Sequence, residues 1–590
     1  MKRIFLVIAL FYACFTYSQN NFMLAESYFR QGEYEKALQI YKSLLDRNPF
    51  NTTYLKKLVT CYQETDQFQK AEDLLRTSLA KNSAQKYLHV ELGYNYERQQ
   101  MIDLAKKEYA TALQAIEVNP SLGGMVGRMF RQNNSLDNAI LAYTKTMELN
   151  PNSSYQFQVA QIYGEKGEFD KMFDAYIELV NKNDSYIGTV QRLASRYVSD
   201  DPTDKNNIAL KRSLLRKSVS NPKNVWNELL SWLFSKQKEY GKAFIQEKAL
   251  FKRDPQYLEN IVTLGKIAFD DQDYIAAKDC FTFLLNNTNF IDEKINSELY
   301  LLRVAVATED LEAEQKFEKV LKLYGINTNT IRIQVEYADF LTFQKGQPKR
   351  AEAILEEALT FSKSKFQKAR IKIKLGEVLV FTGRFNKALI YFSQVQTKLK
   401  NHPLSQEARF KVAQTSYFKG DFTWAMAQLK ILKGSTTQLI ANDAVDLFLV
   451  ISDNQPQDSI PSGLKQYAKA DLLAYQNKNE EALLVLKEIH EKFKGFPVED
   501  EALFKEAEVM VKMKKYEEAI ANFEQVISMN PEGILNDDAY YQIAELYNNK
   551  LNLPEKAKEY YQKIIFDYAS SIYLVDARKK YRQLRGDDIN

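Results

Sequence analysis

Apolar and small residues return along most of this chain at i, i+3, i+4 and i+7, the spacing that lines one face of an α-helix. In "LGYNYERQQMIDLAKKEYATALQAIEVNP" the residues His89, Leu92, Gly93 and Tyr96 share such a face. From Tyr94 the sequence runs polar into "QQMID", a predicted turn. Leu104, Ala105, Tyr109, Ala112 and Leu113 then mark the apolar face of a second helix. The small residues at Gly93 and Ala105 let the two helices approach closely, and Tyr96 and Tyr109 fill the space on either side. One such hairpin cannot bury its own apolar face, so it needs a neighbour of the same kind.

The neighbours are present. Ala37, Ala71, Ala105 and Ala139 recur every 34 residues, with Met172 one residue early. An aromatic or Leu travels four positions behind: Tyr41, Leu75, Tyr109, Tyr143 and Tyr176. First-helix aromatics keep step as Tyr28, Tyr62, Tyr96, Phe130 and Tyr163, and Pro49 and Pro151 fall where a second helix ends. In period and order these residues resemble the tetratricopeptide repeat family. The register continues through Ala209, Ala243 and Ala277, stretches over Ala313, Ala351, Ala388 and Ala425, and resumes at Ala482, Ala519 and Ala557. The resemblance implies an all-α fold, an α-α superhelical solenoid of about fifteen helix hairpins.

The expected division is a signal peptide over 1–18, a regular array over 19–183 and a degenerate middle segment over 184–335. A long-period array follows over 336–433. Residues 434–462 hold an extra helix ("LIANDAVDLFLVISD") and a hinge ("NQPQDSIPSG"), and 463–590 a C-terminal array. "VDARKKYRQLRGDDIN" reads as a helix whose polar face caps that last array. The last repeats, such as "DDAYYQIAELYNNKLNLPEKAKEYYQKIIFDYASS", resemble the longer-period repeats of bacterial envelope proteins of this family, outer-membrane assembly lipoproteins among them.

Composition is that of a folded chain: 45% hydrophobic and 26% charged residues, with only 20 Gly and 13 Pro in 590, too few for an all-β architecture. Lys and Arg number 80 against 76 Asp and Glu, which gives no electrostatic reason to expect nucleic acid. "MKRIFLVIALFYACFTYSQNN" has a basic start, a short apolar run and a small, polar end, the layout of a secretory signal peptide. Cys14 offers the alternative of a lipid anchor, although Phe11 and Tyr12 stand where such motifs carry smaller residues. The expected location is the periplasm of a bacterium, with possible outer-membrane association. The remaining cysteines, Cys61 and Cys280, read as small buried hydrophobes.

Nothing in the sequence assembles a catalytic constellation. His89, His402 and His490 lack the partners of a metal site or triad. Gly123, Gly124 and Gly127 follow no strand and precede no G-K-[ST], so packing is the expected role. "DDQDY" lacks the later Gly and Glu of a calcium loop. No cofactor, no metal and no enzymatic activity are expected.

In the repeat family, positions two, five, nine and twelve of each first helix line a concave groove that receives partner peptides. Here those positions are Tyr87, Val90, Tyr94 and Glu97, then Ser121, Gly124, Arg128 and Arg131, then Ser154, Phe157, Gln161 and Gly164. The expected partner-binding set is Tyr87, Tyr94, Glu97, Arg128, Arg131, Phe157 and Gln161, since Tyr and Arg are enriched at interface hot spots. Gly124 and Gly164 would leave room for a backbone to approach. The alternative is ordinary solvated charge beside wall-packing tyrosines. The family's carboxylate clamp is not carried over: Lys56 is present, but Thr60, Val90 and Tyr94 replace its other members. Phe410, Tyr467, Phe504 and Tyr541 share position five and read as architecture. The expected function is a non-catalytic exported scaffold or adaptor that binds an envelope protein or peptide through this groove. The alternatives are glycan or peptidoglycan binding, or service as an outer-membrane assembly accessory.

Overall fold

The computed structural model describes residues 21–434, 438–455 and 462–586. The signal-peptide reading, Cys14 and most of the hinge "NQPQDSIPSG" lie outside the described residues. Among those described, 32 α-helices follow one another with no strand, as the all-α solenoid reading requires. No helix among them is long and apolar enough to cross a membrane.

Each hairpin is built the same way. The first helix of the opening stretch is His89–Arg98 and its partner is Ile102–Val118. Between them Gln100 adopts a left-handed φ of 62°, and the Met101 N–H reaches back to the Tyr96 carbonyl at 2.9 Å, which satisfies an end-of-helix acceptor. The same left-handed residue returns every 34 positions as Gly32, Asp66, Gln100 and Asn134. It returns every 37 as Glu309, Gly346, Gly383 and Gly420. The change of period foreseen from the alanines is thus also written in the backbone.

Close approach sets the packing. A Cβ on Gly93 would lie 2.4 Å from the Tyr109 ring, one on Gly127 2.6 Å from Tyr143, and one on Gly376 2.4 Å from Phe392. The glycine in the first helix faces an aromatic sixteen residues later, and the ring occupies the space a side chain would need. Elsewhere the pair is resized: Ala413 precedes Leu429, and Ala470 precedes Leu486, at the same spacing. Val59 and Leu301 stand at this position in their own hairpins, which are the more open ones, the second markedly so. Phe317, the aromatic that would face Leu301, instead stacks on Tyr337 (4.9 Å) and Phe340 (5.6 Å) of the following first helix. The opened hairpin, Ile291–Ala307 with Ala313–Tyr324, borders a cavity of 580 Å³ lined by Leu301, Leu302 and Val320.

The contacts divide the chain into two compact units, one of residues 1–198 and 205–229, the other of 199–204 and 230–590. In the first, a continuous core runs from Ala25 to Ile162, with Cys61 fully buried in it. Cys280 is equally buried in the second unit. Burial pushes both thiols up to about 12, as inert core cysteines should be. The helix foreseen in "LIANDAVDLFLVISD" is Gln438–Asp453. The second unit also folds back on itself. Phe343 meets Tyr475 at 5.4 Å, the Asn477 side chain donates to the Phe343 carbonyl, and Lys514 pairs with Glu309 at 3.0 Å.

Candidate functional site

The first-helix face of the first unit gathers Lys56, Tyr87, Glu91 and Arg128, and Tyr94, hydrogen-bonded to Arg98, follows Glu91 on the same helix. Tyr87, only 8% exposed, is a wall residue, with the Lys56 ammonium 5.9 Å from its ring centre. Glu91 is buried beside it. Burial raises its carboxyl above the usual range, against the opposing pull of Lys56 and of a long 3.5 Å hydrogen bond donated by Asn133. Burial also lowers the Lys56 ammonium; Glu91 counters that effect and Arg128 adds to it. Arg128 itself is exposed, and Tyr94 is half-buried.

The other expected members are tied down. The Tyr109 hydroxyl donates to Glu97 at 2.5 Å. Arg131 donates to Gln161 at 3.0 Å and also to Glu165, so its guanidinium is occupied within the array. Phe157 is half-buried. The room foreseen beside Gly124 is taken: a Cβ there would sit 2.3 Å from the Tyr155 hydroxyl, because Tyr155 stacks on Tyr143 at 5.0 Å and projects across the glycine. Gly164 is likewise closed by Met172. Gly127 serves packing, as expected.

The buried Glu91 is the member that stripe counting missed. The signal was an acid inside the apolar run "YLHVELGY". Lys56 stands one repeat before Val90 in the same stripe, and its value emerges only once Glu91 faces it.

In the second unit the corresponding face carries a ladder of buried charge. Lys374 bridges Asp339 (2.6 Å) and Glu377, and Lys411 joins Glu377 at 2.8 Å. Burial alone would raise Glu377, but Lys411 and Lys374 outweigh it and hold the carboxyl down at about 2. Lys505 pairs with Asp471 (3.3 Å) and Glu508 (2.7 Å). Glu501 escapes such neutralisation: burial first, then Asp453, Asp500 and Glu508, lift it to about 7 against the pull of Lys505. The position-five aromatics serve architecture. Tyr467 is buried, Phe504 meets Phe523 edge-on at 5.0 Å, and Tyr541 stacks on Tyr573 at 4.2 Å.

His89 Nδ1 lies 2.6 Å from Glu108, and His490 Nε2 lies 3.2 Å from Glu506, each a bridge between neighbouring helices. Among the described residues no group of three or more His, Cys, Asp or Glu is placed to hold a metal ion. What the two faces offer is cations, carboxylates and aromatic edges in a repeating frame, which is the equipment of a binding surface.

Geometry therefore defines an α-helical repeat solenoid with charged and aromatic first-helix faces. The tetratricopeptide repeat family matches residues 501–533 and 538–571, two hairpins of the C-terminal array, which supports the repeat type. The TT21 fifth ARM repeats domain matches residues 18–119. A curated relative, the BBSome complex member BBS4 of Bos taurus, is 24% identical over 379 residues. The match spans 61% of this chain and 64% of the relative, less than two thirds of its length. Among solved structures, yeast Tom70 aligns at 16% identity, covering 84% of this chain and 99% of that one, with a TM-score of 0.28. A tetratricopeptide repeat protein from Parabacteroides merdae aligns at 14%, covering 52% and 98%, with a TM-score of 0.25. Similarities that low carry no argument about this chain.

These relatives correct the expected location. The BBSome complex member comes from cattle, whose cells have no periplasm, and the TT21 domain match likewise points away from a bacterial envelope protein. The periplasmic and outer-membrane reading rested on the N-terminal apolar run and on the long period of the last repeats. A repeat period reports how helices stack. It carries no cellular address.

Proposed function

We propose that this chain is a non-catalytic scaffold that binds protein partners and works as one member of a multi-subunit assembly. The observation that carries the reading is the first-helix face of Lys56, Tyr87, Glu91, Tyr94 and Arg128, where a buried acid and a half-buried lysine lie behind an exposed arginine, with a half-buried tyrosine on the same repeat stripe. The relationship to a protein named as a complex member supports the assembly part of it. Partner docking here uses Tyr94 and Arg128 directly, with Phe157 on the stripe of the next repeat. Tyr87, Glu97, Arg131 and Gln161 position the face through the contacts described above.

The test is proximity cross-linking of the full chain in its native cells, followed by affinity measurement with the purified partner. Tyr94→Ala with Arg128→Ala is expected to weaken that partner tens-fold or more, and by roughly a thousandfold where two hot-spot losses of about 2 kcal/mol each add. Helical signal and melting should be unchanged. Wild-type affinity in the double variant refutes this docking face.

A further inference from the structure

In the second unit, three helix ends and a loop enclose a cavity of 460 Å³. They are the C-terminus of Gln438–Asp453, the N-termini of Val498–Lys512 and Asn536–Asn549, and the loop that leads from Met529 to Asn536. Five carboxylates line the cavity: Asp453, Glu499, Asp500, Glu501 and Glu532. Among the described residues no Lys, Arg or His lines it, and none of the five acids forms an ion pair. Residues 456–461, outside the described set, read "PQDSIP" and contain no basic side chain.

Helix dipoles account for part of this charge. Glu499, Asp500 and Glu501 stand in the first turn of Val498–Lys512, where acids are favoured. The two N-termini together supply about one elementary charge, too little for five carboxylates. Asp453 ends its own helix, where the dipole disfavours an acid. The crowding is felt: burial, then Glu499, raises the Asp500 carboxyl against a hydrogen bond from Asn530, and Glu501 is raised as described above. Lys505, which pulls Glu501 the other way, is already paired with Asp471 and Glu508 and does not line the cavity.

A second observation points to the same kind of ligand. Asn454 and Asn536 line the cavity at 2% and 0% exposure. Their side-chain amides donate to the Val450 carbonyl at 2.9 Å and the Asn530 carbonyl at 2.7 Å. Each side-chain oxygen is left without a donor among the described residues, a costly state for a buried acceptor. Unpaired acceptors and unneutralised carboxylates are relieved together by a cation rich in N–H groups. An ammonium carries three such donors and a guanidinium five. Among the described residues no three acids are placed to share a metal ion, so the fitting cation is organic. Phe496, Met529 and Ile534 add exposed apolar surface to the lining, which suits an aliphatic stem behind the charged head.

We propose that this acidic cavity receives the side chain of a lysine or arginine projecting from a partner chain. The proposal rests on the scaffold reading in drawing its ligand from a partner. It shares no residue with the face around Arg128, so either site can fail alone.

The experiment is saturation-transfer NMR on the full chain with short, blocked, otherwise neutral peptides. Each carries one arginine or one lysine, or in its place citrulline or norleucine. At least one basic peptide is expected to bind, and the uncharged peptides should bind about tenfold more weakly or worse. Asp453→Asn with Glu532→Gln, both on exposed side chains, should weaken the basic peptide about fivefold. Glu532→Gln alone guards against a folding artefact of the pair and should still cost about twofold. Glu517→Gln with Glu518→Gln makes the same charge change about 16 Å from Met529 along its helix, beyond the reach of screened charge, and should leave affinity unchanged. Absence of binding by both basic peptides at millimolar concentration overturns the proposal, and so does equal binding of the uncharged ones. Equal losses in the two double variants, or an unchanged affinity in Glu532→Gln, overturn it as well. Binding of butylammonium where neither basic peptide binds would assign the cavity to a small amine and refute the partner-chain source.

Discussion

Adding one methyl group at Gly93 tests the packing rule of the whole array. The new Cβ would fall 2.4 Å from two carbons of the Tyr109 ring and 3.2 Å from the Ala105 carbonyl oxygen. Ordinary contact requires the ring to retreat by about 1 Å, and overpacking of this kind costs about 1–3 kcal/mol. The ring has little freedom: it is 7% exposed, meets Phe130 edge-on at 5.2 Å and donates its hydroxyl to Glu97. Disturbing that bond adds about 1 kcal/mol, while the better helix propensity of Ala returns about 1 kcal/mol. The net expectation is a loss of about 2 kcal/mol, or roughly a 30-fold increase in local opening. Hydrogen exchange across residues 89–118 reads it directly. Gly188, exposed on Ile187–Ala194 with no atom within 4 Å of a built Cβ, is the matched control, and Gly188→Ala should be neutral or mildly stabilising. Tyr109→Leu in the Gly93→Ala background recreates the Ala413–Leu429 pairing and should cost less than the two single changes added together. If Gly93→Ala is as benign as Gly188→Ala, the glycine–aromatic account is wrong.

Acid and base act on the second unit in opposite directions through two glutamates. Glu501, raised to about 7 from 4.5, contributes stability below pH 4.5 that is lost as pH rises through 7; Glu501→Gln should therefore flatten the decline in Tm between pH 5 and 8. Glu377, held at about 2, contributes stability above pH 4.5 that is lost as pH falls toward 2, so Glu377→Gln should melt earlier at pH 7 and converge with wild type in acid. At the left-handed turn position, Gln100→Gly should stabilise by about 0.5 kcal/mol in urea titration, because relief of the side-chain clash slightly exceeds the added unfolded-state entropy. Far-UV circular dichroism should show helix alone, without a sheet component.

Repeat number, the change of period and the helix Gln438–Asp453 were legible because apolar spacing and packing are the same information in a solenoid. The left-handed turn residues were not, since Asp66, Gln100, Lys238 and Glu309 have no side-chain signature in common: the turn imposes the conformation and tolerates the residue. Stripe counting put Tyr94 and Arg128 in one stripe, and the structure leaves the first half-buried and the second exposed. The count could not see that Arg131 would be spent on Gln161 and Glu165, because those partners lie one repeat away and depend on rotation of the helices. Location failed for a different reason, since no packing constraint encodes it.

Leu301 has a mechanical consequence. In a stack where each hairpin is gripped by its neighbours, load applied along the chain passes through every interface in series, and the series yields at its softest joint. The hairpin that Leu301 props open, with Phe317 turned toward the next helix and a cavity of 580 Å³ beside it, is that joint in the second unit. Stretched between its ends, once the fold-back contacts of Glu309 with Lys514 and of Phe343 with Tyr475 have released, the unit should part there first, at a force set by one leucine where its neighbours carry glycine or alanine.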